Sequence, residues 1–253
     1  MKKNEDQVFK DYSKYYDLLY KDKDYKEESR YINDLLKKFG LDACEILEFG
    51  SGTGGHANIL TKKYKYKILG VDQSKEMIEM AKNNKNFKSI VGDMRSFDAK
   101  KKFDCVLALF HVVSYLTSAK DINKFFKNAN KHLPSKGKLI FDCWYSPAVN
   151  HIGPSNTVKK IENRSCEVVR IGEPKIFKKK NQVLVNFTNF IRNKPSDNWF
   201  QIKESHLMKH YSKDEISNIA KRNGFKLISS EQFMTGSKSS KNTWGVCFIL
   251  EKE

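Results

Sequence analysis

Residues 45–56 read Glu-Ile-Leu-Glu-Phe-Gly-Ser-Gly-Thr-Gly-Gly-His and predict a strand that passes through a tight turn into a helix. Glycines allow sharp turns and let a ligand approach main-chain N–H groups, and the following helix dipole adds partial positive charge. The spacing is Gly50-x-Gly52-x-Gly54, and the next glycine also satisfies the Gly-x-Gly-x-x-Gly of dinucleotide folds. We therefore expect a nucleotide-like or charged ligand above this turn, although a plain strand-to-helix connection uses the same residue types.

The surrounding sequence predicts an α/β fold. Strand and helix patterns alternate from residue 45 to residue 143, which indicates a doubly wound parallel sheet. Between residues 157 and 212 short alternating segments predict an antiparallel meander. A helix beginning at Ser212 and two final strands follow. The predicted architecture is a doubly wound, seven-stranded, mostly parallel sheet with an antiparallel β insertion before the last helix and strands.

We expect one domain over residues 1–253, with an inserted antiparallel subdomain at residues 148–211 and helices within residues 1–40. Tyrosines, including Tyr16 and Tyr20, recur at helical spacing in this N-terminal part. Its helices either pack on the sheet or form a lid that carries aromatic rings over the glycine turn. The sequence leaves both interpretations open.

Composition narrows the class of protein. The sequence contains no apolar run of about 18 residues and no apolar signal core near Met1, so we expect a cytoplasmic protein that does not span a membrane. The five cysteines are dispersed, which is typical of buried thiols. No cluster of His, Asp or Glu has metal-binding spacing, so no metal is expected.

The net charge of +17 raises the question of nucleic acid binding. Only six of the 47 basic residues are arginine, and the lysines are spread along the chain. Nucleic-acid readers usually concentrate arginine and aromatic residues on one element. Diffuse lysine is more typical of a solvated surface, and the same field would also attract a small anionic substrate.

Candidate binding residues follow from the strand ends, because open α/β sheets bind ligands at the carboxyl ends of their strands. These ends supply Glu48, Asp72, the pair Asp93 and Met94, and His111. Asp72 lies 72 − 54 = 18 residues after Gly54, close to the position expected for an acid that binds a ribose diol. Any one of these acids alone is more often a surface carboxylate. Three acids at successive strand ends favour a binding site.

Together, the glycine turn, the segment Gly70–Ser74, the segment Gly92–Arg95 and the apolar run 103–110 resemble the successive motifs of class I S-adenosylmethionine-dependent methyltransferases. The resemblance covers residues 45 to about 145 and implies a Rossmann-like methyltransferase fold. It also implies S-adenosylmethionine as cofactor and the following cofactor-binding residues: Tyr16, Tyr20, Glu48, Gly50, Ser51, Gly52, Asp72, Gln73, Met77, Asp93, Met94 and Leu109.

Further segments resemble one branch of that family, the nucleotide-linked amino-sugar N-methyltransferases. These are residues 16–25, the segment Gly92–Phe97, Trp144-Tyr145 and residues 204–211, together with the inserted meander. The resemblance implies methyl transfer to the amine of a nucleotide-linked sugar, a small anionic substrate. Candidate substrate-binding residues are Trp144, Tyr145, Arg170, Arg192 and His210.

The candidates for the catalytic base are His111, Tyr115 and His206, since an amine must lose a proton before it can attack. A packing role for His111 is equally compatible with the sequence. Transfer to a sugar hydroxyl or to another small molecule, and then RNA methylation, are the alternative activities. A nicotinamide oxidoreductase or a cofactor-binding module without catalysis are the alternatives from other classes. The oligomeric state stays open, with a homodimer among the options.

Overall fold

The computed structural model describes residues 13–253. The helices are α1 Ser13–Leu19, α2 Tyr25–Lys38, α3 Gly55–Tyr64, α4 Lys75–Met80, α5 Ala119–Lys131, α6 Ser146–His151 and α7 Lys213–Arg222. The strands are β1 Glu45–Phe49, β2 Lys67–Asp72, β3 Phe87–Val91, β4 Cys105–Ala108, β5 Lys138–Trp144, β6 Thr157–Glu162, β7 Cys166–Phe177, β8 Gln182–Asn193, β9 Trp199–Lys209, β10 Phe225–Gln232 and β11 Gly245–Lys252. The described chain divides into a smaller compact unit of residues 13–23 and 153–209 and a larger one of residues 24–152 and 210–253.

The larger unit contains a seven-stranded sheet in the order β10-β11-β5-β4-β1-β2-β3. Strands β3, β2, β1, β4 and β5 pair in parallel, whereas β11 runs antiparallel to both β5 and β10. The strand order reverses around β1, because β2 lies on one side of it and β4 on the other. Ligands bind at such a switch point in open α/β sheets. The predicted fold class is confirmed.

The sheet of the larger unit is covered on both faces, which explains its apolar strands. On one face Leu47 and Phe49 of β1 belong to a core with the buried aromatic residues of α5, β5 and β11. On the other face Ile46 packs in a second core with residues of α2 and α3. Alternate residues of β1 therefore enter opposite cores, which fixes the register of the strand that leads into the glycine turn.

The smaller unit is the predicted antiparallel meander. Its sheet has the order β6-β7-β8-β9, with each neighbouring pair antiparallel. Leu19 of α1 is fully buried in a small core with Ile161, Val168 and Ile191 of the sheet. The meander therefore has its own apolar face, which α1 helps to cover.

Three local predictions need correction. The apolar run 103–110 predicts a strand to Phe110, but strand β4 ends at Ala108. Phe110 and His111 both adopt left-handed backbone conformations, with φ of 64° and 61°. The pattern after Ser74 predicts a helix to Asn83, but helix α4 ends at Met80 and Ala81 is already extended. Helix α6 was not predicted. Within residues 13–253, no helix is long and apolar enough to cross a membrane.

Candidate functional site

The glycine turn between β1 and α3 is built on left-handed backbone. Gly50, Gly52 and Gly54 have φ values of 71°, 53° and 80°, which favour glycine. A Cβ atom at position 50 would lie 2.5 Å from Cγ1 of Val112, so no side chain fits there. A Cβ atom at position 52 would meet nothing within 4 Å. Position 50 therefore has no room for a side chain, whereas the space beside Gly52 is open to a ligand.

Asp72, at the end of β2, joins this turn to α4. Its Oδ2 accepts a hydrogen bond from the Gly52 amide at 2.8 Å, and its Oδ1 accepts one from the Ser74 amide at 2.9 Å. Burial raises the pKa of Asp72, and these amide donors oppose that rise. Gln73 is exposed beside it, and Met77 on α4 is buried. Asp72 thus presents a carboxylate at the strand end with two of its acceptor positions already used.

Glu48 and Ser51 carry buried polar atoms with no partner among residues 13–253. Oε2 of Glu48 and Oγ of Ser51 make no hydrogen bond, although the two residues are only 2% and 7% exposed. Burial, and then the charge of Asp72, raise the pKa of Glu48 to about 8. An unpaired buried polar group typically costs about 1–3 kcal/mol. A ligand with an ammonium group and other polar atoms would satisfy both side chains.

Asp93, at the end of β3, is held by Arg95. Nε of Arg95 lies 2.9 Å from both carboxylate oxygens of Asp93, and the Arg95 amide donates to Oδ1 at 2.8 Å. Burial raises the pKa of Asp93, but the bonds from Arg95 outweigh it and the pKa lies below its usual value. Arg95 also pairs with Asp121 at 3.2 Å. The side chain of Met94 is half-buried against the core.

The segment after β4 brings His111 to a buried acid, Asp142, which is not among the residues predicted from the sequence. Nδ1 of His111 lies 2.6 Å from Oδ2 of Asp142 on β5, and the His111 amide donates to the same oxygen at 3.1 Å. Asp142 is fully buried, whereas the side chain of His111 is 22% exposed. Leu109 is buried in the core, and Tyr115 ends a 3-10 helix over Val112–Tyr115.

The predicted substrate residues of the larger unit surround the end of β5. The ring of Trp144 lies 5.4 Å from that of Trp244 and 6.5 Å from that of His111. Tyr145 forms a parallel bridge with Tyr211. His210 is fully buried, and its Nδ1 lies 2.8 Å from Oγ of Ser146. His210 therefore supports the chain from inside, and substrate contact by it stays a prediction.

The remaining predicted site residues lie in the smaller unit. Arg170 packs its guanidinium over the rings of Tyr20 and Phe187, at 5.3 Å and 4.8 Å from their centroids. The Tyr16 and Tyr20 rings are 4.7 Å apart. Arg192 pairs with Glu167 and Asp197. His206 is buried, with Nε2 3.1 Å from Oε2 of Glu204.

The structure therefore brings Glu48, Asp72, Asp93 and His111 to the carboxyl edge of one sheet. It adds Asp142, which stands in the apolar run Leu-Ile-Phe-Asp-Cys of β5. Burying a carboxylate in a central strand that is covered on both faces is costly unless the carboxylate is paired. An acid within an apolar run is therefore the sequence signal that could have identified Asp142. Within the part of the chain that the structure describes, no three His, Cys, Asp or Glu side chains are arranged to hold a metal ion.

Comparison with known proteins identifies relatives of the central region. Residues 46–137 match the family described as a methyltransferase domain. One relative is dTDP-3-amino-3,4,6-trideoxy-alpha-D-glucopyranose N,N-dimethyltransferase of Streptomyces venezuelae. The chain is 29% identical to it over 140 residues, which are 54% of this chain and 59% of the relative. Another relative is malonyl-[acyl-carrier protein] O-methyltransferase of Priestia megaterium. The chain is 30% identical to it over 54% of this chain and 49% of the relative. The chain spans about half the length of the curated relatives it matches.

Solved structures show the same fold over most of the chain. Streptomyces venezuelae DesVI superimposes with a TM-score of 0.80 at 21% identity, covering 96% of this chain and 99% of that one. A S-adenosylmethionine-dependent methyltransferase from Clostridium acetobutylicum superimposes with a TM-score of 0.78 at 20% identity, covering 94% and 96%. The sugar N-methyltransferase KedS8 from Streptoalloteichus superimposes with a TM-score of 0.79 at 18% identity, covering 94% and 93%. These likenesses cover more of the chain than residues 46–137.

Proposed function

We propose that this chain is a class I S-adenosylmethionine-dependent methyltransferase that methylates the amine of a nucleotide-linked sugar. The match of residues 46–137 to a methyltransferase domain supports this proposal. The observation that supports cofactor binding most directly is the pair of unsatisfied buried polar atoms on Glu48 and Ser51, beside the open face of Gly52. A plain strand-to-helix connection has no use for a buried carboxyl without a partner.

The residues at the sheet edge suit S-adenosylmethionine. The methionine end carries an ammonium group, which would pair with Glu48, while Ser51 and the open turn at Gly52 would receive its other polar atoms. Asp72 retains acceptor capacity for a ribose diol, since a carboxylate offers about four acceptor positions. We propose that Asp93, Met94, Met77 and Leu109 contact the adenine, and that Gln73 contacts the ribose together with Asp72. The bound cofactor supplies a methyl group already activated by its sulfonium.

The protein's own tasks are then to orient the acceptor, exclude water and handle one proton. The bound cofactor would supply the methyl group and would take up the bonding electrons on its sulfur, so the chain's residues have to present the acceptor nitrogen to that methyl group. The nitrogen needs a free lone pair, so its ammonium form must first lose a proton. We propose that His111 accepts this proton, because its imidazole is a partly exposed base at the sheet edge. Tyr115 and His206 remain the other candidates.

The acceptor is proposed from the names of three relatives, each a dTDP-amino-sugar N,N-dimethyltransferase. A nucleotide-linked sugar is a small anion, which the net charge of +17 would attract. We propose that Trp144, Tyr145 and His210 of the larger unit bind it, and the substrate role of Arg170 and Arg192 stays a prediction from the sequence. The cofactor role of Tyr16 and Tyr20 likewise stays a prediction from the sequence. The diffuse lysine charge makes RNA a weaker candidate.

The test combines binding and turnover. Thermal shifts with S-adenosylmethionine, S-adenosylhomocysteine and NAD separate a methyltransferase from an oxidoreductase, because only a true ligand raises the melting temperature. Methyl-labelled cofactor is then offered to dTDP-amino sugars and to the matching dTDP-sugars with a hydroxyl at the same carbon.

We expect label on the amino sugars, loss of cofactor binding in Asp72→Ala, and normal binding in the control Asp214→Ala, which changes an exposed residue of α7. Label only on hydroxyl acceptors would move the assignment to oxygen, in line with the O-methyltransferase relative. A thermal shift without labelled product on any acceptor would leave a binding module, and a shift with NAD alone would exclude the proposal.

A further inference from the structure

We propose that Gly245 is a positioning residue, whose missing side chain leaves the space in which the imidazole of His111 lies. This inference rests on the proposed function for its catalytic meaning, because His111 is the proposed proton acceptor. The place of the imidazole, and the group that keeps it there, can be tested without any acceptor.

Gly245 is the first residue of β11, at the edge of the sheet where β5 ends. It pairs with Trp144 across the two antiparallel strands, so both residues face the same side of the sheet. A Cβ atom built on Gly245 would lie 3.0 Å from Cε1 of His111, which is closer than ordinary van der Waals contact. The imidazole therefore occupies the place where a side chain at position 245 would stand.

The conformation of Gly245 does not require glycine. Its φ lies outside the left-handed region, so other amino acids could adopt the same backbone. After Cε1 of His111, the atoms nearest to the Cβ position are Nε2 of the same ring at 3.8 Å and Cβ of Phe233 at 3.9 Å, both at ordinary contact distance. Close approach of another group is a recognised use of glycine in a strand. Within the part of the chain that the structure describes, that group is the imidazole of His111.

The strand is held on both sides, so it cannot easily move aside for an added methyl group. On the side of β10, the carbonyl of Gly245 accepts a hydrogen bond from the Phe233 amide at 3.1 Å. On the side of β5, the Trp244 carbonyl accepts one from the Tyr145 amide at 2.9 Å. An alanine at position 245 should therefore displace the ring rather than the strand.

The imidazole has more freedom than the strand, but only on one side. Nδ1 of His111 already lies 2.6 Å from Oδ2 of Asp142, so the ring has no room in that direction. The side chain of His111 is 22% exposed, so the ring can turn toward solvent. A misplacement of about 1 Å can cost about 100-fold in rate. A shift of a few tenths of an ångström, which a 3.0 Å contact requires, should then cost about 3- to 10-fold.

The test is Gly245→Ala, with Gly137→Ala as the matched control. Gly137 precedes β5 at the opposite edge of the same sheet, and a Cβ there would also lie 3.0 Å from its neighbour, the main-chain oxygen of Pro134. Alanine is favoured over glycine in a strand, so Gly245→Ala should keep or raise the urea midpoint. With a dTDP-amino sugar that the parent methylates, its kcat should fall about 3- to 10-fold, with KM changed by less than about twofold. Gly137→Ala should lower the urea midpoint, because a main-chain oxygen cannot turn aside, and should leave kcat unchanged.

Proton NMR of the Cε1–H group reports the position of the ring itself. The His111 signal is identified by its absence from His111→Asn, and asparagine tolerates the left-handed backbone of this position. We expect the signal to shift in Gly245→Ala and to stay in place in Gly137→Ala. In the His111→Asn background, Gly245→Ala should cost no further kcat, because the ring that it displaces is gone.

An unshifted His111 signal in Gly245→Ala would overturn the proposal, and so would a kcat equal to that of the parent. An equal loss of kcat from Gly245→Ala with and without the imidazole would also overturn it, because Gly245 would then act through another group. A shifted signal in a protein that methylates no acceptor would support the positioning role and reject the proposed function.

Discussion

Replacing Glu48 by glutamine should make the protein more stable at alkaline pH, even though Glu48 belongs to the candidate cofactor site. The side chain is 2% exposed, and burial followed by the charge of Asp72 raises its pKa from 4.5 to about 8. The two pKa values differ by 8 − 4.5 = 3.5, and each tenfold step corresponds to about 1.36 kcal/mol. Ionised Glu48 therefore costs the folded state about 5 kcal/mol relative to the protonated form.

The sign follows from proton counting. Between about pH 4.5 and 8 the folded protein keeps the proton on Glu48 while the unfolded chain has lost it, so the free energy of unfolding falls as pH rises. The stabilising contribution of the protonated acid is complete below about pH 4.5 and absent above about pH 8. Glutamine cannot ionise. The difference in unfolding free energy between Glu48→Gln and the parent should thus grow by about 1.4 kcal/mol per pH unit up to about pH 8 and then level off.

Urea unfolding of both proteins at pH 6, 7, 8 and 9 measures this difference directly. Glu45→Gln is the control, because Glu45 begins the same strand but is only partly buried. Its bond to Lys101 lowers the pKa of Glu45, so this residue is ionised in both states over the whole range. Glu45→Gln should run parallel to the parent. If Glu48→Gln also runs parallel, Glu48 is not held protonated by burial and the reasoning fails.

Two further predictions concern the glycine turn and the core beneath it. Gly50→Ala should unfold at a lower urea concentration than Gly52→Ala, because a Cβ at position 50 would lie 2.5 Å from Val112, whereas position 52 is open. Gly52→Ala should instead weaken S-adenosylhomocysteine binding more than it lowers stability. Equal urea midpoints would contradict the geometry. Tyr211→Phe should cost about 1–3 kcal/mol of unfolding free energy, because the buried Tyr211 hydroxyl donates to the Leu116 carbonyl; an unchanged urea midpoint would show that this bond contributes nothing.

The turn at the end of β1 was predictable because its causes are local. Each conformational requirement is met by a glycine at that position, and the strand before it alternates between two cores. The N-cap of α7 was predictable for the same reason, since Oγ of Ser212 accepts from the amide of Glu215 three residues later. Helix α6 has a proline in its first turn, which is a recognised start signal, but its six residues are too few to show a period.

The end of β4 was not predictable because its cause is remote. The apolar run continues to Phe110, and the hydrogen bond from the His111 amide to Asp142, 31 residues later, helps to hold the left-handed backbone there. Asp93 gives the complementary case. Its partner Arg95 is only two residues away, yet no sequence period reveals that the arginine folds back onto the carboxylate. If Asp93 accepts a hydrogen bond from adenine, it must do so while its carboxylate is already bound by Arg95.

Cofactor binding should release a proton, because Glu48 cannot stay protonated and also pair with an ammonium group. At pH 7 its pKa of about 8 keeps it mostly protonated in the free protein. The ammonium of S-adenosylhomocysteine would favour the ionised carboxylate, so binding at pH 7 should release close to one proton per site. Calorimetric titrations in phosphate and in Tris report this number through their different heats of ionisation. Glu48→Gln should bind with a buffer-independent heat, and a buffer-independent heat in the parent would place the ligand's ammonium away from Glu48.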